Sequence, residues 1–294
     1  MMTALTKTRR VNTLPFISPS VLVLLLWMIV PLVMTLWFSF QRYNLLNPSV
    51  KGFAGFENYK SLIADSALWT AMLNTLVLVG SVLGVTVVLG TMLAVLFNQE
   101  FFGRGAARLL IIAPFFVMPT VSALVWKNML LHPVNGLFAF LTRSLGLEAI
   151  DWFGNWPMTS IVIIVSWQWL PFALLILLTA IQSLDHEQME AARMDGAGPV
   201  AMFRFIILPH LKRSISVVIM IETIFFLSVF AEILVTTSGG PGLATTNLAF
   251  LIYIRSLLEY DVGAASAGGV IAIVLANIVA FFLVRTIARS LEEA

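Results

Sequence analysis

QSLDHEQMEAARMDGAGPVAMFRFIILPHLKR, residues 182–213, separates two strongly apolar stretches of a 294-residue chain. Asp185 is a good helix N-cap, with Gln188 three positions on as in a capping box, and a short helix is expected over 186–194. Gly196 and Gly198 end that helix, and Pro199 opens a second one. Ala191, Ala192 and Ala197 offer little bulk to an approaching surface, while Glu187, Glu190 and Asp195 give the knob negative charge. Pro209 is expected to break the chain just before Lys212 and Arg213, which mark the membrane surface. Two readings stand on these residues alone: a solvated hairpin that stiffens a loop, or a docking surface for a soluble partner.

The rest of the chain decides what the hairpin is attached to. It is 60% hydrophobic and only 11% charged, with a mean hydropathy of +0.97. Soluble domains carry about 25% charged residues, so the bilayer must serve as solvent here. Six segments are long and apolar enough to cross it, at about 14–40, 71–97, 109–131, 159–181, 214–235 and 264–287. All must be helices, because open strands leave backbone groups unpaired in lipid. The fold class is therefore an all-α integral membrane protein, one membrane domain with no appended soluble domain. The run beginning at Leu14 is too long for a signal peptide and reads as an uncleaved first span.

Lysine and arginine placement orients the spans. With both termini inside, the inner side holds Lys7, Arg9, Arg10, Arg104, Arg108, Arg193, Arg204, Lys212, Arg213, Arg285 and Arg289, eleven cations against five outside. The five are Arg42, Lys51, Lys60, Arg143 and Arg255, and the hairpin 182–213 then lies in the cytoplasm. The loops 41–70, 132–158 and 236–263 mix turn residues with Trp, as turns and short interfacial helices do. A net charge of +2 with scattered cations gives no case for nucleic acid. Cysteine is absent, and neither a metalloprotease HExxH nor a phosphate-binding GxxxxGK[ST] occurs, so no metal site, cofactor or ATP hydrolysis is expected in this chain.

The spacing within the hairpin narrows its meaning. Glu190-Ala191-Ala192, three residues, Gly196, nine residues, then Ile206-x-Leu208-Pro209 resembles the cytoplasmic signature of binding-protein-dependent ABC importer permeases. GFENYKSL (55–62), Asn74-Thr75-Leu76 and TSGGPGLATTNLAFLIYIRSL (237–257) resemble the carbohydrate branch, of the maltose-transporter type. WQWLPFALLILLTAIQSLD (167–185) looks most like permeases for sugar alcohols such as mannitol and sorbitol. The resemblance implies a type I ABC importer permease fold with six spans and cytoplasmic termini, in a bacterial inner membrane. It implies that Glu190, Ala191, Ala192, Asp195, Gly196, Ile206, Leu208 and Pro209 form a coupling surface for a separate ATPase. The implied partners are a second homologous permease, two ABC ATPase subunits that hold ATP and Mg, and a periplasmic substrate-binding protein. The implied cargo is a small carbohydrate.

Within the spans, Glu222 should face protein or a water-filled cavity, since a charged group at a helix centre costs roughly 2.5–3.5 kcal/mol. Either it lines the substrate pathway, with Phe225, Phe226 and Val229 on its face, or it is a packing element bonded to a neighbouring helix. A stand-alone ion-coupled carrier or channel using Glu222 is the alternative function. Trp167, Gln168 and Trp169 suit a sugar, whose C–H faces stack while its hydroxyls bond, and equally suit packing and interfacial anchoring. Glu232 and Lys127, both near the outer end, are either paired or separately solvated. Gly80 and Gly84, and Gly263, Ala267 and Gly268, read as helix-packing positions. The turn at 239–242 reads as plain, or, by the resemblance, as abutting the substrate-binding protein.

Overall fold

The structure, a computed structural model, describes residues 14–292, with the side chains at 14–16, 186 and 286–292 left aside. Lys7, Arg9 and Arg10 lie outside the described residues, as does the side chain of Arg289. The chain begins with α1 (Leu14–Ser39) and turns through a two-stranded antiparallel hairpin, β1 (Gln41–Arg42) and β2 (Gly52–Phe53), with Gln41 opposite Phe53. A short helix α2 (Glu57–Ala64) leads into α3 (Ser66–Asn98). Asp65 caps α3 by accepting from the Ala67 N–H at 2.8 Å. At the other end, Arg108 donates to the Phe97 carbonyl at 2.8 Å and Arg104 to that of Gln99 at 3.2 Å, cations where the helix dipole favours them.

The third apolar stretch is not the single straight span that 109–131 predicts. It comprises α4 (Arg104–Ile112), a 3-10 turn Ala113–Phe116, α5 (Pro119–Val125) and a π-turn Trp126–Leu130, with a bend of 108°. Pro114 and Pro119 each remove a backbone donor, so the helical ladder fails between them. The carbonyl of Val117, left without a helical partner at the break, accepts from Gln168 Nε2 at 2.9 Å. Two short helices follow at the far end, α6 (Leu137–Ser144) and α7 (Trp152–Asn155), and then the 26-residue α8 (Pro157–Gln182).

Beyond the hairpin helices α9 (His186–Met194) and α10 (Pro199–Met202) comes α11 (Leu208–Phe226), which starts and ends earlier than the expected fifth span. The chain leaves the helix at 227–230 and re-enters one as α12 (Ala231–Thr236). Asn247 donates to the Val229 carbonyl in that break at 2.6 Å, the same amide-to-carbonyl repair seen at Val117. Next come α13 (Leu248–Tyr253), its π-turn Ile254–Leu258, and α14 (Val262–Glu292). Among the described residues, four helices are long and apolar enough to span a membrane, and the bent pair makes a fifth. The stretch that was to be the fifth of six spans fails that test because α11 carries Lys212, Arg213 and Glu222.

α3, α8 and α11 form the centre. Near the hairpin they bury Ala94, Phe97, Leu174, Leu177, Leu211 and Val218 together, and further along Leu78, Val82, Ile161, Val165 and Phe226. In lipid this association rests on close packing rather than on escape from water. Gly90 shows how close: a Cβ there would lie 2.9 Å from that of Ala173. At Gly80 and Gly84, apart from their own helix backbone, nothing among the described residues lies within 4 Å of where a Cβ would be, so their expected packing is not made within this chain. Gly263 and Gly268 do pack, against Gln41 and Asn58 and against Ile252. The outward faces of α1, α3 and α14 are apolar, from Trp27 to Phe282, as contact with lipid or another membrane subunit requires.

Candidate functional site

The hairpin is built as its sequence dictates. The Asp185 carboxylate accepts from the Glu187 N–H at 2.9 Å and starts α9, although Gln188 makes no reciprocal capping bond. Gly196, at φ +83°, stops it, with its N–H on the Arg193 carbonyl at 3.0 Å and that of Ala197 on Ala192 at 2.9 Å. Met189, Ala192, Met202 and Ile207 root the hairpin in the α3–α8–α11 core. Glu187, Glu190, Ala191, Asp195 and Gly196 are exposed, together with Met194 (88%), Val200 (79%) and Phe205 (71%).

Of the signature residues, Ala191, Ala192, Asp195 and Ile206 come together along a cleft of about 550 Å³ that Phe205 and His210 also line. Glu190 lies on the exposed face of α9, Gly196 at its turn, and Leu208 and Pro209 open α11. Pro209 does not break the chain. Residues 199–226 are helical throughout, because the π-turn Phe203–Ile207 precedes Pro209 and places it in the first turn of α11, where a missing N–H costs little. His210 Nε2 lies 2.9 Å from the Ala180 carbonyl and 3.2 Å from Ser183 Oγ, closing the base of the hairpin onto the end of α8.

Inside the bundle, Glu222 is fully buried and its Oε2 accepts from Thr86 Oγ1 of α3 at 2.6 Å. Phe226 is buried one turn further on, whereas Phe225 is 51% exposed and Val229 lies beyond the helix end. Phe225 packs tilted against Trp169, with 4.7 Å between ring centres, and Trp169 also meets Phe226, Phe115 and Phe172. Trp167 points elsewhere, to Trp126 at 5.8 Å. The structure thus joins Trp169 of α8 with Phe225 and Phe226 of α11, one turn beyond Glu222 on that helix, and uses the Gln168 amide at the Val117 break. Lys127 and Glu232 do not pair: Lys127 Nζ donates to the Val235 carbonyl at 3.0 Å, and Glu232 is buried.

Sequence reasoning missed four groups. Thr86 is one threonine in an apolar run, with nothing nearby in sequence to tie it to Glu222. Phe115 and Phe172 complete the Trp169 cluster. Asn74 donates to the carbonyls of Leu243 and Thr246 at 2.8 and 2.9 Å and holds the 237–257 segment. Asn247 repairs the Val229 break. Asn74, Asn247 and Phe172 stand inside the stretches that carry the family resemblance, which is their only signal in the sequence.

Residues 86–293 match the family described as binding-protein-dependent transport system inner membrane component. The chain belongs to this family. Among its relatives is the trehalose/maltose transport system permease protein MalF of Thermococcus litoralis, 33% identical over 253 residues, 85% of each chain. Another is the sulfoquinovosyl glycerol transport system permease protein SmoG of Agrobacterium fabrum, 30% identical over 92% of this chain and 88% of that one. A bacterial ABC transporter that imports the acidic polysaccharide alginate has the same fold, with a TM-score of 0.80 over 94% of both chains at 23% identity. The permease therefore has the helical type I importer fold, with the third stretch bent and the fifth helix shortened.

Proposed function

We propose that this permease forms half of the membrane path of an ATP-driven importer for a sugar or sugar derivative, and that the hairpin 182–213 is the seat of its ATPase. The carrying observation is the exposed face of α9, where Glu190, Ala191, Asp195 and Gly196 stand clear of the bundle on a helix rooted in its core. The carbohydrates in the relatives' names support the cargo class, and the 167–185 resemblance makes a sugar alcohol the first candidate within it. ATP and Mg belong to the two partner ATPases, a second permease completes the path, and a periplasmic binding protein delivers cargo to the far end. Both termini and the hairpin are cytoplasmic in this reading, with six crossings in which α11 is one. Transport proceeds by alternating access, each ligand shifting the balance toward the state it binds better.

The substrate pathway in this reading runs past the aromatic face of Trp169 and Phe225, flanked by Phe226, with Glu222 one turn back along α11, while Trp167 packs on Trp126 and Gln168 holds the Val117 carbonyl. Stacking on sugar C–H faces needs such a half-exposed aromatic surface, and Phe225 supplies its open edge. In proteoliposomes holding the complete complex with ATP, Gly196→Pro and Glu190→Lys should abolish uptake while the binding protein still binds its sugar. Proline cannot adopt φ +83°, and lysine reverses the charge at the dock. Normal uptake by both variants overturns the assignment, and ATP-independent uptake by this chain alone favours an ion-coupled carrier.

A further inference from the structure

Threonines in these membrane helices mostly satisfy their own backbone: Thr75, Thr91 and Thr223 each donate to the carbonyl four residues back at 2.6–2.7 Å. Thr86 is different. Its hydroxyl lies 3.3 Å from the Leu83 carbonyl but 2.6 Å from Glu222 Oε2, across to another helix. Among the described residues, no Lys, Arg or His forms an ion pair with Glu222, and its Oε1 is buried without a partner. A buried acid with a single hydrogen-bond donor is unfavourable for stability alone. A positional role accounts for its presence.

The position matters because of what each helix is joined to. Residues 199–226 are helical from the hairpin to Glu222, so a push on the hairpin travels along α11. α8 is joined to the hairpin directly, through residues 183–185, and its end is held by His210, whereas α3 is not contiguous with the hairpin and meets α8 and α11 by packing, with Gly90 against Ala173. Among the described residues, Thr86 to Glu222 is the one side-chain hydrogen bond between α3 and α11. The hydrogen bond from Thr86 to Glu222 fixes one register. We propose that Thr86 and Glu222 are positioning residues that tie α3 to α11, so that movement received at the hairpin shifts α3 in register with the helix that carries it. The proposal rests on the importer reading.

The test measures sugar moved per ATP hydrolysed by the complete complex in proteoliposomes. Thr86→Val and Glu222→Leu should each lower that ratio by about fivefold or more, the lower range of coupling between sites, and Thr86→Val should do so with the ATPase rate and the KM for cargo unchanged. The double variant should be no worse than either single, because both remove the same bond. Glu222→Gln, which keeps an acceptor for the Thr86 hydroxyl, should restore coupling. Normal coupling in Thr86→Val, additive losses, or a failing Glu222→Gln beside a healthy Thr86→Val overturns the proposal. A raised KM in Thr86→Val also overturns it, placing the pair at the cargo site instead. Absence of ATP-driven uptake by the unsubstituted complex contradicts the importer reading itself and removes the coupling proposal with it.

Discussion

Asn247 and Gln168 do the same work at two breaks, each donating a side-chain amide to a carbonyl that a broken helix leaves without a backbone partner. Asn247 also caps α13 by accepting from the Phe250 N–H at 2.9 Å. Asn247→Ala should therefore destabilise the permease by about 2 kcal/mol, the combined scale of a lost cap and an orphaned carbonyl. Asn247→Asp, which sets a buried carboxylate oxygen against the Val229 carbonyl, should destabilise at least as much. Thermal unfolding in detergent checks both, and an unchanged Asn247→Ala midpoint contradicts the account. None of this was legible in sequence, because Gln168 and Val117 are 51 residues apart and the break itself was unforeseen. Asp185 and Gly196 were legible, because caps and turns act over two to five residues. At Gly196 the left-handed conformation costs a non-glycine side chain roughly 1–2 kcal/mol. Gly196→Asn, which tolerates it best, should keep more transport than Gly196→Val.

The helices themselves were largely readable from apolar run length, and they failed where length and apolarity mislead. The run 109–131 looked continuous, yet Pro114 and Pro119 fold it through 108°. Proline alone did not announce this, for Pro171 sits inside α8 without breaking it. The glycines of α3 carry a sharper lesson. A GxxxG pattern drew attention to Gly80 and Gly84, which face open space, while Gly90 alone makes the tight contact with α8. Gly90→Leu should push α3 off α8 and lower the yield of folded protein severalfold, as overpacking costs about 1–3 kcal/mol or more. Gly84→Leu should leave the chain's own melting temperature unchanged. Size-exclusion yield and melting temperature of the two variants side by side measure the contrast, and equal damage from both contradicts the packing described.

At the scale of the whole molecule, the hairpin is where the bundle offers charge, small residues and exposed apolar groups together. Its opposite end offers a different surface: Arg255 bridges Asp65 and Glu259 there, and these carboxylates raise its pKa although burial alone lowers it. Family membership was legible because its signature is local, a run of fixed spacings within one loop. The internal route was not, because the Thr86–Glu222 contact spans 136 residues of sequence and leaves no periodic trace. Cross-linking tests directly whether the hairpin seats an ATPase. A chain without cysteine accepts a single reactive site with no background. Placed at Met194, 88% exposed on the hairpin, a cysteine-linked photo-cross-linker should capture the co-expressed ATPase subunit, while the same probe at Leu145, 77% exposed at the far end, should not. Capture from Leu145, or from neither site in a complex that transports, contradicts the account.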